Sequence, residues 1–340
     1  MKEELFLFSN KSYPCYFDGD FNQLATILDK EQAVIITDEN IAALYEERLD
    51  GWKKIVISPG ENNKQQFTVD SIIQQLIKLK ADRQTFIVGL GGGVITDLTG
   101  YVASVYMRGV KFGFIPTSIL AMVDAAVGGK NGVDVGIYKN LVGVIRHPEF
   151  LLFDYSFLQS LPIEEWVNGF AEIIKHACIK DKELFKELQE NSLSYYQSNK
   201  EAIASLIRRN VEIKYKIVAS DEFETGDRKL LNFGHTIGHA IENKHSLAHG
   251  HAVSVGMVAA CKISEQFEDF QYTNEVIQLI SQYKLTTHFD YTHKEIWDIL
   301  LMDKKKSGNM MNFILLKDIG NALIQKIPLT ELENILEKLN

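Results

Sequence analysis

The chain has 340 residues and a formal net charge of −9, with 46% hydrophobic and 24% charged side chains. That length is more than one hydrophobic core usually organises and suggests two domains. The acidic balance excludes a surface made for nucleic acid or an anionic membrane, so an anionic ligand would need a local basic pocket.

The opening segment MKEELFLFSN carries an apolar run too short for a signal peptide and includes two glutamates, and no later stretch reads as a membrane span. Cys15, Cys178 and Cys261 are far apart and in no metal or redox spacing, as expected of a reduced, cytoplasmic setting. Short β-branched runs then alternate with amphipathic segments: strands at 33–38, 54–58, 85–90 and 112–118, helices around 66–80 and 94–107. This alternation predicts an α/β domain with a parallel sheet, whose ligands bind off the carboxyl ends of the strands. Asp38, after the first of these strands, reads either as an acid for a ribose hydroxyl or as a helix cap ahead of Glu39 and Asn40. The loop GLGGGVITD (89–97) follows a buried strand and opens a helix, where backbone N–H groups can meet a phosphate. Its spacing departs from the dinucleotide fingerprint, with Val94 where a third Gly or Ala belongs. A second glycine-rich run, Asp124 to Gly132, leads to Tyr138-Lys139-Asn140. Lys130 and Lys139, flanked by glycine and asparagine, look like anion clamps.

Most of the 23 glycines precede residue 144, and beyond Ile163 the only proline is Pro328. A helical second part is therefore predicted, with its boundary near 148–162 and domains at 1–155 and 156–340. Within it, FAEIIKH (170–176) sets Glu172, Lys175 and His176 on one helical face. Lys214 and DEFETGDR (221–228) follow, DKKK (303–306) reads as a charged run, 309–328 as a small hairpin and 329–339 as a closing helix. The densest chemistry is at 230–253, which holds His235, His239, His245, His249 and His251 out of nine histidines in the chain. Neutral imidazole is the commonest side-chain ligand for borderline divalent metals, and three protein ligands with one open position is the usual catalytic zinc arrangement. His235 and His239, four apart, share a helical face and are the pair most easily read as ligands; His249 and His251 would share a face only on a strand or turn. Gly234 and Gly238, which precede that pair, lower helix propensity and suggest close backbone approach to something bound.

Nine segments, GGGVITD (91–97), YMRG (106–109), PTS (116–118), VDAAVGGK (123–130), KN (139–140), AEIIKH (171–176), DEFETGDR (221–228), LNFGHTIGHAIE (231–242) and HGHAV (249–253), resemble in order the motifs of the 3-dehydroquinate synthases, of the sugar phosphate cyclase group. The resemblance implies an α/β, Rossmann-like N-terminal NAD domain, a mainly helical C-terminal metal domain and a homodimer. It implies conversion of 3-deoxy-D-arabino-heptulosonate 7-phosphate to 3-dehydroquinate and phosphate, in the shikimate route to aromatic amino acids. It implies a zinc or cobalt ion on Glu172, His235 and His249, which displaces the helical pair and leaves His239 for the substrate phosphate. For NAD it implies Asp38, Asn40, Glu61, Lys64, Gly92, Gly93, Val94, Asp97, Thr117, Ser118, Lys139, Phe157, Leu158, Gln159 and Ser160. For substrate it implies Asp124, Lys130, Asn140, Lys175, Lys214, Arg228, Asn232, His239 and one of Lys304 or Lys305, with Arg108 reaching into the partner's site. The chain departs from the family pattern at PTS, GGKNG and VDVGIY, and at His251, which replaces a glutamate and offers a rival third ligand.

Overall fold

The protein is described here from a computed structural model covering residues 1–136, 138–245, 247–290, 293–302 and 306–339. It divides into two compact units, Met1–Glu165 with Lys200–Glu222, and Trp166–Asn199 with Phe223–Asn340. Strands of the first unit are β1 (Lys2–Leu7), β2 (Ser12–Phe17), β3 (Ala33–Asp38), β4 (Lys53–Ile57), β5 (Phe86–Gly91), β6 (Lys111–Pro116), β7 (Lys130–Val135), β8 (Tyr138–Ile145) and β9 (Leu151–Leu152). Helices α1 (Leu24–Ile27), α2 (Glu39–Leu44), α3 (Gln66–Lys78) and α4 (Gly93–Val105) connect them. The chain continues through α5 (Ile163–Lys180), α6 (Lys182–Glu190), α7 (Leu193–Ser198), α8 (Lys200–Ser220), α9 (His235–His245), α10 (His249–Glu268), α11 (Thr273–Gln282) and α12 (His293–Met302). It ends in β10 (Lys306–Ser307), β11 (Met310–Asp318), β12 (Asn321–Pro328) and α13 (Leu329–Leu339).

Seven strands of the first unit form one sheet in the order β1-β2-β9-β6-β5-β3-β4. β1 and β2 are antiparallel, and every other neighbouring pair is parallel. Central strands β3, β5 and β6 are buried almost end to end, because a parallel sheet is covered on both faces. Their unbroken apolar runs are what made them visible as strands. Helix α4 lies very close to β5: a Cβ on Gly89 would meet Thr99 Oγ1 at 2.9 Å. The core of this unit includes Ile35, Val88, Leu90, Ile115, Phe150 and Phe157.

Helix α8 differs from expectation. The sequence reading places residues 200–222 in the helical part, yet α8 belongs to the first unit and packs on the turn Ala121–Ala125. Its buried residues Ile203, Leu206, Ile207, Val211, Lys214 and Val218 combine an apolar stripe with one lysine that has an acidic partner on that turn. The β7–β8 ribbon and the β1–β2 pair were likewise not anticipated.

The second unit is mainly helical. Its core joins Ile237 and Ile241 of α9, Val255 and Ile263 of α10, Phe313 and Leu315 of β11, and Leu336 of α13. The antiparallel β11–β12 hairpin and the closing helix α13 match the reading of 309–339. Lys304 and Lys305 lie outside the described residues. Among those described, no helix is long and apolar enough to cross a membrane.

Candidate active site

Two loci collect the site residues, one in each unit. In the first unit, β5 ends at Gly91, and Gly92 is the N-cap of α4, a helix with no side-chain cap. The Thr117 N–H donates to Gly91 O at 3.0 Å. A Cβ on Gly91 would meet Ile95 Cγ1 at 2.6 Å, while one on Gly92 would lie 3.4 Å from Ser118 Oγ and one on Gly93 3.4 Å from Ala125 Cβ. The loop is thus bare backbone at the positive end of a 13-residue helix, the chemistry that accepts a pyrophosphate. A dinucleotide fits this donor set.

Beside the loop runs a buried charged network. Lys64 Nζ pairs with Asp97 and donates to Asn140 Oδ1 at 2.6 Å. Burial pulls this ammonium's pKa down, but Asp97, Glu61 and Asp134 outweigh that and hold it above its ordinary value. Asp134, absent from the sequence reading, ties the ribbon to this segment. Its N–H donates to Lys64 O at 2.8 Å, and its carboxylate accepts from the Asn140 N–H at 2.7 Å and pairs with Lys139 at 3.3 Å. Asn140 sits at φ +51°, a conformation asparagine tolerates. Lys139 also meets Glu61 at 3.1 Å, so two carboxylates already answer its charge and it is not a bare anion clamp. Lys130, at the start of β7, is exposed.

The remaining residues of this unit fall in three groups. Asp38 caps α2, accepting from the Ile41 N–H at 3.0 Å, and Asn40 is exposed beside it. Phe157 and Leu158 are buried in the 3-10 turn Tyr155–Ser160, so contacts there are left to backbone, to exposed Gln159 and to Ser160, whose Oγ is 2.7 Å from Tyr45 Oη. Lys214 Nζ donates to Asp124 O at 2.6 Å and to Asp124 Oδ1 at 2.7 Å. Arg108 is exposed on a tight turn at φ +68°.

The second unit holds the imidazole cluster. Glu172, Lys175 and His176 of α5 are all buried, and Lys175 Nζ pairs with Glu172 Oε2. Glu172 Oε1 lies 3.4 Å from His235 Nε2 and 3.2 Å from His249 Nε2. What sets this geometry is the packing of α9 on α10. A Cβ on Gly256 would lie 1.8 Å from Gly234 O, and one on Gly238 would lie 2.9 Å from Ala252 O. The close approach expected at Gly234 and Gly238 is therefore to a neighbouring helix backbone, not to a bound group. Each imidazole is also held from behind: His235 Nδ1 is 3.0 Å from Phe233 O, and His249 Nδ1 is 3.2 Å from Glu242 Oε2.

Ligand atoms of Glu172, His235 and His249 all lie within 4.8 Å of one another. Tetrahedral zinc with bonds of about 2.1 Å places its ligand atoms roughly 3.4 Å apart. Both measured separations from Glu172 are close to that spacing, and two imidazoles with one carboxylate suit zinc or cobalt. The residues present fit such an ion. The His239 ring stands 5.0 Å from that of His235 and 6.2 Å from that of His249, beside the trio. His251 turns elsewhere, with Nδ1 2.8 Å from Thr286 Oγ1, and the His245 ring sits 5.0 Å from Phe289, so neither joins the cluster. Arg228 is buried in the 3-10 turn Asp227–Asn232, and Asn232 Nδ2 donates to Glu224 Oε1 at 2.6 Å.

Charges in the trio are sharply differentiated. Burial alone would raise Glu172, but Lys175 and the two imidazoles hold its carboxyl well below the usual range. Burial lowers His235. Burial would lower His249 too, but hydrogen bonds and charge from Glu172 and Glu242 prevail and carry it up to about 10. Without an ion, the cluster at neutral pH is a carboxylate, a neutral imidazole and an imidazolium.

Comparison with known proteins places these loci in context. The sequence profile described as "3-dehydroquinate synthase N-terminal" matches residues 54–168, and "3-dehydroquinate synthase C-terminal" matches 169–306. A 3-dehydroquinate synthase of Streptococcus sanguinis is 37% identical over 329 residues, covering 93% of this chain and 92% of its own. One of Pyrococcus abyssi is 42% identical over 276 residues, covering 81% of each. Among solved structures, the 2-epi-5-epi-valiolone synthase of Streptomyces hygroscopicus subsp. jinggangensis, with NAD+ and Zn2+ bound, superposes with a TM-score of 0.88 at 26% identity, covering 98% of each chain.

Proposed function

The chain belongs to the 3-dehydroquinate synthase family, and from that premise we infer that it converts 3-deoxy-D-arabino-heptulosonate 7-phosphate to 3-dehydroquinate and phosphate. One observation carries this reading: relatives bearing that name align along nearly the whole of this chain and of themselves. The reaction makes the protein a carbon–oxygen lyase in which the carbon bearing a substrate hydroxyl gives up a hydride, the hydroxyl its proton, and both are later recovered. Between those events the new ketone acidifies the adjacent C–H, that proton is lost and phosphate leaves. Ring opening and an intramolecular aldol closure complete the product, with no net oxidation.

Bound to the first unit, NAD supplies the hydride acceptor, and a divalent ion on Glu172, His235 and His249 supplies Lewis acidity at the hydroxyl oxygen. The chain's own groups do the rest. Backbone N–H groups at Gly92, Gly93 and Val94 receive a pyrophosphate, with Asp97, Lys64, Glu61 and Lys139 fixing the adjoining wall. Lys175 keeps Glu172 anionic and oriented. Lys214, aimed by Asp124, and Arg228, with its planar fork, are cations suited to a carboxylate. Lys130, Asn140, Asn232 and His239 are assigned to the phosphate. Catalysis in this scheme is positioning and fixed charge, with the bound phosphate group accepting the proton. Arg108, exposed on its turn, is assigned to the partner's site in a homodimer, and the three buried thiols suit a reducing cytoplasm.

The test is phosphate release from the heptulosonate phosphate with catalytic NAD+, before and after chelation. Turnover is expected, should stop on metal removal and should return with zinc or cobalt. A second reading, a cyclase for a sugar phosphate without a carboxylate, is favoured by the valiolone synthase likeness. Phosphate released only from such a sugar would establish that reading and overturn the first; turnover surviving complete metal removal would remove the Lewis-acid role.

A further inference from the structure

Glu242 has no role in the scheme above, yet it touches one of the three metal-site residues. It stands on α9, one turn beyond His239, with its side chain 11% exposed. Its Oε2 is 3.2 Å from His249 Nδ1, while the other ring nitrogen of His249 faces Glu172 Oε1, also at 3.2 Å. An imidazole that binds a cation through one nitrogen keeps a proton on the other, and an acceptor behind that N–H fixes both the tautomer and the ring plane. His235 has such an acceptor in Phe233 O at 3.0 Å. The two histidines are thus backed differently, one by a neutral carbonyl and one by a carboxylate.

Resting on the reading that Glu172, His235 and His249 hold the ion, we propose that Glu242 is a positioning residue: its carboxylate accepts the Nδ1–H of His249, presents Nε2 to the cation and strengthens that nitrogen as a donor. The contact is built into the backbone, since the glycine-to-backbone approach of α9 on α10 sets the distance between position 242 and position 249. His239, Glu242 and His249 also have ligand atoms within 4.8 Å of one another, so the same carboxylate has a rival employment as ligand to a second cation. That arrangement would strip His249 of both ring protons and make it a bridging imidazolate, whereas an imidazole ligand ordinarily keeps its second N–H for an acceptor such as Glu242.

The experiment measures metal affinity of the full chain by competition with a chromophoric chelator, and the ligand-field absorption of the cobalt-loaded protein. Glu242→Ala is expected to weaken zinc and cobalt binding about 10- to 100-fold, with each affinity corrected for the proton the metal displaces, and to shift the cobalt band. Glu242→Gln, which keeps the volume and can accept the N–H without the charge, is expected to fall between Glu242→Ala and the wild type. Wild-type affinity and spectrum in Glu242→Ala would overturn the proposal. If that variant does not fold, wild-type affinity and spectrum in Glu242→Gln would do the same. Two equivalents of metal bound by the wild type and one by Glu242→Ala would make Glu242 a ligand instead. Glu172→Gln and His235→Ala separate the two levels: if neither weakens binding, the metal site itself is misplaced, whereas if both do and the Glu242 variants do not, only the positioning role fails.

Discussion

Loading the Glu172–His235–His249 site with zinc should expel close to one proton at neutral pH, and the proton should come from His249. Only the neutral imidazole coordinates a metal. In the metal-free protein, burial depresses His249, but Glu172 and Glu242 carry it up to about 10. His235 is lowered by burial and Glu172 is held below the usual range by Lys175 and the imidazoles, so neither has a proton to give. The sign is that of a raised histidine. Its carboxylate contacts stabilise the metal-free fold fully below the ordinary value of 6.5 and fade as pH climbs through about 10. Since the metal must displace this proton, apparent affinity should rise about tenfold per pH unit across that window. From pH 10 down to pH 7 the handicap is at most about 4 kcal/mol, at about 1.4 kcal/mol per unit. It is an upper bound because the His249 side chain is 25% exposed, and solvent weakens the pull of the two carboxylates. Calorimetric titration of the apo protein with zinc, in buffers of different protonation enthalpy, measures the protons released. No release near pH 7.5, or an affinity flat between about pH 7 and 9, would refute the reasoning.

Gly256→Ala should lower the thermal midpoint and loosen metal binding together, because its Cβ would lie 1.8 Å from Gly234 O and backbone cannot yield there; the expected cost is about 3 kcal/mol. An unchanged midpoint would show that α9 and α10 can separate freely. Asp124→Ala leaves Lys214, whose side chain is 9% exposed, without its carboxylate, at a cost of about 3 kcal/mol that Asp124→Asn should partly recover; denaturant midpoints compare the three proteins. His249→Ala should lose metal and phosphate release together, while His239→Ala should keep the metal and slow turnover. Metal analysis showing the reverse would restore the His235–His239 pair.

What was legible beforehand follows from how local the relevant physics is. Strands β3, β5 and β6 are apolar runs because both of their faces are buried, and the periodicity of α3 and α4 follows from having one such face. The trio was readable through its motifs, whereas spacing alone led to His235 and His239, which do share a helix, while Glu172 comes from α5 and His249 from α10. Residues whose importance lies in long-range contact were not legible. Asp134 matters through Lys64, Lys139 and Asn140, and Glu242 through His249, and nothing in their own neighbourhoods announces those partners. Gly234 and Gly238 gave a true signal of crowding but not its source, since a helix returning from Ala252 looks in sequence the same as a ligand would.

The return of α8 to the first unit has a consequence for biogenesis. A ribosome that has released residues through Glu165 has not yet supplied the helix that covers Ala121–Ala125 or the lysine that answers Asp124. All seven strands are out by then, but the Ala121–Ala125 turn stays uncovered while α5, α6 and α7 emerge, and the unit matures only once Glu222 is free. A gene truncated at the apparent domain border would encode an orphan half with an uncovered seam, so dissecting this protein into pieces requires grafting Lys200–Glu222 rather than a single cut.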